Sequence, residues 1–244
     1  MSKADAKPDY EPGPFESAKF DAYRAPYRKA LDTIRSLDYS EEDLIHYFPA
    51  FTGHLTLARY FTFYECYKKT LGVAGHIAEI GVYKGAVSLL FAKLIQLYEP
   101  HALTQVHGFD WFQGMLPGEG DRNMPEGGYT ESFERVDALI KGQQLDHIFK
   151  LHNMDVISGL GPFLDQWKHM QFKLVFMDAG AQEVVRATLP LLWDRLTPGG
   201  ILVLDQYNFD IAPGETMAVR DILPNAKVRT FPNGWMPTAY IEKE

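Results

Sequence analysis

The chain has 244 residues, with 24 Lys+Arg against 32 Asp+Glu and a formal charge of −8. Apolar residues make up 46 %, enough for a full core, which excludes global disorder and at this length suits one domain with an extension or at most two small ones. The acidic balance argues against a life on nucleic-acid phosphates. The single cysteine, Cys66, excludes an intramolecular disulfide framework and suits a reducing, cytoplasmic setting. No stretch approaches the ~18–20 apolar residues of a membrane span.

Residues 1–14 are rich in Pro, Lys and Asp, carry no apolar run of a secretory signal, and read as a mobile tail. Residues 15–72 read as a helical cap. Phe20, Tyr23, Tyr27, Leu31 and Ile34 recur at helical spacing as far as about Leu37. Ser40 with Asp43 resembles a capping box opening a short second helix, and Leu55 to Thr70 is a third helical run, dense in aromatics. From residue 73 the pattern changes. His76–Val82 reads as a strand, Gly85–Tyr98 as a helix and Val106–Asp110 as a second strand. Trp111 to Tyr129 is a long Gly/Pro-containing loop, a candidate lid (about 111–130) with Tyr129 at its hinge. A helix from about Glu131 to Lys141, a strand near Ile148–His152, a strand Leu174–Asp178, a helix Gln182–Leu196 and a turn Thr197–Gly200 follow. Ile201–Asp205 is almost continuously apolar, as buried parallel strands are. Strands near Lys227–Phe231 and Thr238–Glu242 flank Pro232-Asn233-Gly234 as a closing hairpin. Strands alternating with helices imply a doubly wound α/β fold with a mostly parallel sheet, here of seven strands.

Three acidic residues follow three successive strands, at the edge where open α/β sheets bind ligands. Glu79-Ile80-Gly81-Val82-Tyr83-Lys84-Gly85 spans the first strand–helix turn, where glycines allow backbone to approach a ligand at a helix start. It lacks the G-x-G-x-x-G spacing, because position 83 is tyrosine. Glu79 can accept hydrogen bonds from an amino-bearing ligand, or it is incidental to the turn. Asp110 closes the second strand, where an acid can accept both hydroxyls of a ribose, or else is a helix N-cap or a solvated strand-end aspartate. Asp155 either faces an adenine edge or is a surface aspartate. Trp111 and Phe112, with Met115, form either an apolar wall for a ligand or an anchor for the loop.

The ordered set AEIGVYKG, GFD, VFMD and LTPGGILVLD resembles class I S-adenosylmethionine-dependent methyltransferases over about residues 56–242. GFDWFQGM with its Gly/Pro-rich loop, after the aromatic helix, makes it most similar to the macrocin O-methyltransferase family, which methylates sugar hydroxyls of natural products. The resemblance implies S-adenosyl-L-methionine bound by Glu79, Gly81, Tyr83, Gly85, Ser88, Asp110, Trp111, Phe112, Asp155 and Asp178. It also implies a divalent metal, Mg²⁺, on Asp178, Asp205 and Gln206, whose carboxylates end neighbouring strands. The sequence departs from the family at two places. The later strand ends Asp205-Gln206 rather than in two aspartates, echoing the Asp-Asn of catechol-type enzymes. Asp178 is followed by Ala-Gly-Ala, which supplies neither a second acid nor a lysine base.

The general base is open among His46, His54, Asp205, Tyr207 and Glu215 by chemical type; Asp178, Asp205 and His54 are the catalytic candidates. The expectation is thus an O-methyltransferase for a small-molecule hydroxyl, a sugar or glycosylated natural product, in the cytoplasm. It would touch neither nucleic acid nor membrane and would pair as a homodimer through its N-terminal helices. The alternatives are a metal-free methyltransferase with another acceptor (O, N or C), or a non-catalytic cofactor-binding protein of the same fold.

Overall fold

A computed structural model describes residues 13–121, 124–234 and 238–244; most of the proposed N-terminal tail lies outside them. Four helices come first: α1 (Glu16–Ser36), α2 (Glu41–His46), α3 (Phe48–Phe51) and α4 (His54–Lys69). The Ser40 hydroxyl accepts the Asp43 N–H and caps α2, as the capping-box spacing predicts. Then β1 (His76–Ile80), α5 (Ala86–Tyr98), β2 (Val106–Asp110), α6 (Phe133–Gly142), β3 (Phe149–Asn153), α7 (Val156–Gln166), β4 (Phe172–Met177), α8 (Gln182–Arg195), β5 (Leu196–Leu204), α9 (Pro213–Ile222), β6 (Arg229–Thr230) and β7 (Ala239–Glu242) follow.

The strands form one sheet in the order β3-β2-β1-β4-β5-β7-β6, parallel from β3 to β5, with β7 antiparallel to both β5 and β6. This is the doubly wound, mostly parallel seven-stranded sheet with a C-terminal antiparallel pair. Alternate residues of each strand feed opposite layers, as the pleat requires. Ile77, Leu174, Phe176 and Val203 pack with α4, α5 and α6, while Ala78, Val175, Met177 and Leu202 pack with α7, α8 and α9. Strand order reverses between β1 and β4, so the crevice at their carboxyl ends is the place for a ligand.

Several boundaries differ from the sequence expectation for physical reasons. Strand β1 stops at Ile80, because Gly81 and Tyr83 both take positive φ to turn the chain. Residues 197–200 are not a free turn but an irregular stretch inside β5, which pairs Leu196 with Phe172 and then Ile201 with Leu174. Besides the single turn α3, two longer helices escaped the pattern. Helix α7 contains Gly159, Gly161 and Pro162, yet Val156, Leu160 and Leu164 bury one face of it. Helix α9 starts at Pro213 without a side-chain cap from its own N-cap residue, Ala212. The final hairpin is shorter than expected, with β6 confined to two residues. Among the described residues, no helix is long and apolar enough to cross a membrane.

Away from the crevice, a hollow of about 520 Å³ beside β3 is lined by His76, His107, His152 and His169. His107 Nδ1 lies 3.1 Å from His152 Nε2, with the two rings stacked. Burial lowers His107 from its ordinary 6.5 to about 3 and His152 to about 4, so both are held neutral and share one ring N–H. Because their folded pKa values lie below the unfolded one, the stability they confer is present above about pH 6.5 and is lost as pH falls toward 3–4. Buried acids at the crevice act with the opposite sign, so the readout is a difference. Acidification from pH 7 to 5 should destabilise His107→Phe less than the wild type, by about 1–2 kcal/mol in urea titrations. Identical pH slopes in the two proteins would contradict this account.

Candidate active site

A cavity of about 680 Å³ opens at the carboxyl ends of β1, β2, β4 and β5, a volume typical of small-molecule sites. Its floor is the turn after β1. Gly81 has φ +89, and a Cβ there would meet the Asp178 carbonyl oxygen at 2.8 Å, so only glycine lets β1 and β4 close up at their ends. Asp110, from the neighbouring strand, holds this turn in place. Its Oδ2 accepts the N–H groups of Val82 and Tyr83 at 2.8 Å each, and its Oδ1 accepts that of Phe112 at 2.7 Å. It lines the cavity as well, with one lone pair, on Oδ1, remaining for a ligand.

Glu79 is fully buried at the end of β1, where it accepts the Ser88 N–H at 3.1 Å and the Ser88 hydroxyl. Burial pushes its carboxyl up to about 8, against the pull of those hydrogen bonds. Tyr83 packs edge-on against Tyr129 across the cavity, with ring centres 5.5 Å apart.

Glu79, Gly81, Tyr83, Asp110, Trp111, Asp155, Asp178, Asp205 and Gln206 therefore share one cavity. The remaining expected residues do not line it. Ser88 is the partner that satisfies Glu79, and Gly85 is the left-handed N-cap of α5. Phe112 is buried against Phe133 and is the loop's anchor rather than a cavity wall. Asp155 touches the rim, but both its oxygens serve α7, accepting the Ile157 N–H at 3.0 Å and the Ser158 hydroxyl at 2.8 Å. His54 has to be corrected as a catalytic candidate. It is exposed at the start of α4, and its Nδ1 is hydrogen-bonded to the Tyr27 hydroxyl. His46 is exposed on α2.

Sequence reading missed Arg59. It lies on α4 midway between Leu55 and Phe63, four residues from each, on the stripe that faces the core. A cation on an apolar stripe was the available signal, since it needs a carboxylate once buried. The guanidinium packs over the Phe63 ring at 4.7 Å. Its Nη1 donates to Asp205 Oδ1 and Oδ2 at 2.7 and 3.0 Å, and its Nη2 reaches Asp178 Oδ2 at 3.4 Å. Burial alone would lower its pKa, but the Asp205 and Asp178 carboxylates outweigh that and hold it above the ordinary arginine value.

The Gln206 amide nitrogen donates to Asp178 Oδ1 at 3.0 Å and to Asp205 Oδ2 at 3.1 Å. The three residues expected to ligate Mg²⁺ thus do converge, but around an arginine and with an amide N–H turned toward the acids. That donor set does not fit a divalent cation, which needs oxygen lone pairs. Among the described residues no group of three or more His, Cys, Asp or Glu is arranged to hold a metal ion.

Burial and the Asp205 charge push the Asp178 carboxyl well above the usual carboxylate range. Glu215, buried on α9, is raised for the same two reasons; it accepts the Gln206 N–H at 2.9 Å, while its Oε2 has no partner among the described residues.

Residues 78–207, more than half of the chain, match the model of a methyltransferase-domain family. The chain belongs to this family. Its fold is that of class I S-adenosylmethionine-dependent methyltransferases. The calicheamicin methyltransferase CalS11 superposes with a TM-score of 0.79 at 24% identity, covering 99% of both chains. Its ligand-free structure, described as a TDP-rhamnose 3'-O-methyltransferase of calicheamicin biosynthesis, gives 0.73 at 23% identity, covering 96% of this chain and 97% of that one. The O-methyltransferase NovP gives 0.61 at 19% identity, covering 76% of this chain and 79% of its own. No curated protein sequence matches the chain.

The methyltransferase closes its cavity with the 111–129 loop and with α1. The loop's 3-10 turn (Glu119–Asp121) carries the buried Asp121, whose Oδ2 accepts the Gln182 N–H at 2.6 Å and whose Oδ1 accepts the Gly214 N–H at 2.9 Å. One carboxylate thereby caps the starts of both α8 and α9. On the other wall, Asp210 accepts the N–H and hydroxyl of Ser17 at 3.0 and 2.9 Å, which brings Phe20 and Arg24 of α1 to the cavity. Asp121→Ala should cost about 2 kcal/mol or more, two caps at roughly 1 kcal/mol each, and should open residues 111–129 to limited proteolysis. Thermal unfolding and a protease time course check this; an unchanged cleavage pattern would contradict the pinning.

Proposed function

We propose that this methyltransferase transfers a methyl group to a hydroxyl of a small molecule, a sugar or glycosylated natural product. The observation that carries this reading is the continuity of the cavity. It runs from the β1 turn and Asp110 at one end to the Asp178 carboxylate at the other, roofed by α1, α4 and the 111–129 loop. That space takes a nucleoside at the turn and an acceptor beside Asp178. The likeness to two enzymes described as O-methyltransferases, one of them acting on TDP-rhamnose, supports a sugar acceptor.

S-adenosylmethionine, when bound, supplies an electrophilic methyl on sulfur. Asp110 accepts a ribose hydroxyl at Oδ1, Gly81 gives the approach to backbone, and Glu79 and Tyr83 line the amino-acid end. Asp178 receives the proton of the acceptor hydroxyl. Of the two carboxylates paired with Arg59, it is the one with its side chain partly open, at 23% against 2% for Asp205. Burial beside the Asp205 charge raises its pKa, which makes its carboxylate a stronger proton acceptor. Exclusion of water by the aromatic roof and in-line positioning account for the rest of the rate. A cytoplasmic setting suits the one thiol, Cys66, which is buried and unpaired. The exposed Tyr23, Leu31, Ile45 and Tyr47 on α1, α2 and the joint to α3 support a homodimer through these helices.

Calorimetric titration with S-adenosylhomocysteine tests the cofactor half of the proposal. A micromolar constant, about −8 kcal/mol, is expected, and no binding would overturn the reading. For the acceptor half, Asp178→Asn should keep that affinity within about threefold while lowering turnover on a sugar-nucleotide panel by roughly 10²–10⁴-fold. Full turnover in Asp178→Asn would remove Asp178 as the base.

A further inference from the structure

We propose that Arg59 takes the place between Asp178 and Asp205 that a divalent ion would hold, so that this site works without a bound metal. The inference rests on the methyltransferase reading of the crevice and concerns how its charge is balanced. A carboxylate offers about four lone-pair sites, and all four on Asp205 are engaged. Oδ1 accepts Arg59 Nη1 at 2.7 Å and the Thr238 hydroxyl at 3.3 Å, while Oδ2 accepts Arg59 Nη1 at 3.0 Å and Gln206 Nε2 at 3.1 Å. Nothing on Asp205 is left for a cation.

Asp178 keeps one donor on each oxygen, Gln206 on Oδ1 and Arg59 on Oδ2. Its remaining lone pairs are what an acceptor hydroxyl needs.

Two departures read from the sequence agree with this arrangement. Position 206 is an amide, and its nitrogen bridges the two acids. Position 180 is glycine, so the chain after Asp178 adds no oxygen ligand. The guanidinium is fixed in place rather than lodged by chance. It comes from the middle of α4, and Phe63, one turn on, lies under it and packs in turn against Phe176 of β4. A permanent single positive charge on a planar fork thus replaces a removable double one. It leaves the acceptor's proton to Asp178 instead of drawing it off at a metal-bound oxygen.

Mn²⁺ is the probe, read by the loss of its free aqueous electron paramagnetic resonance signal at neutral pH. S-adenosylhomocysteine binding is measured on the same samples. The wild type should leave the Mn²⁺ signal undiminished and should bind S-adenosylhomocysteine equally with and without EDTA. Arg59→Met, which frees both carboxylates, should gain one Mn²⁺ site with at least tenfold higher affinity than the wild type. Arg59→Gln, which retains a donor, is made beside it in case the first variant does not fold, and should gain the site more weakly. One Mn²⁺ bound per wild-type chain and lost in Asp205→Asn would overturn the proposal. So would folded Arg59 variants that gain no Mn²⁺, since the arginine would then be standing in for nothing. Failure of S-adenosylhomocysteine to bind would instead strike the methyltransferase reading, and the Mn²⁺ result would separate the two.

Discussion

Acid crowds the carboxyl ends of β1, β4 and β5, and the single guanidinium of Arg59 is what lets Asp178 and Asp205 sit there together. Two enclosed carboxylates side by side repel, and desolvation penalises each of them. Glu79 and Glu215 lean instead on Ser88 and on the Gln206 backbone N–H, and like Asp178 they shift toward the neutral acid. Arg59 comes from α4, before the sheet begins in the chain, so its ion pairs tie the N-terminal helices to the ends of strands more than a hundred residues later. Removing one partner of such a part-buried pair leaves the other charge uncompensated and costs stability.

The strands and the turn at Gly81 were legible because their causes are local: apolar runs, period-two burial, and glycine where backbone must pass close to backbone. Helix α7 was not, since Gly159, Gly161 and Pro162 argue against helix and the burial of Leu160 and Leu164 overrides them. Helix α9 depends on Asp121, some ninety residues upstream, and no local window contains that cap. The site shows the same division. The residue types at 79, 110, 178 and 205 could be read from their places at the ends of strands. The task of Asp110 in building the neighbouring strand's turn could not, nor could the meeting of Arg59 with acids from β4 and β5, because both are made by tertiary pairing. His54 illustrates the converse error, in which a chemically apt residue is claimed by a neighbour, Tyr27, on another helix.

Asp110 also shows how a binding site and its scaffold come to share atoms. The carboxylate proposed to meet a ribose is the one that fixes Val82 and Tyr83 through their amides. Substituting it would deform the turn as well as remove a ligand contact, so affinity lost at this position cannot be assigned to hydrogen bonds with the ligand alone.

The capping of two helices by Asp121 bears on traffic through the crevice. A flap hinged at its ends would lift by breaking a few weak contacts, but this loop is bolted through its middle. Raising it would strip the starts of α8 and α9 of their acceptor at the same moment. The 111–129 segment is tied down at Asp121, and on the opposite wall the first turn of α1 is held to the 205–212 segment by Asp210 and by Phe20 against Phe209.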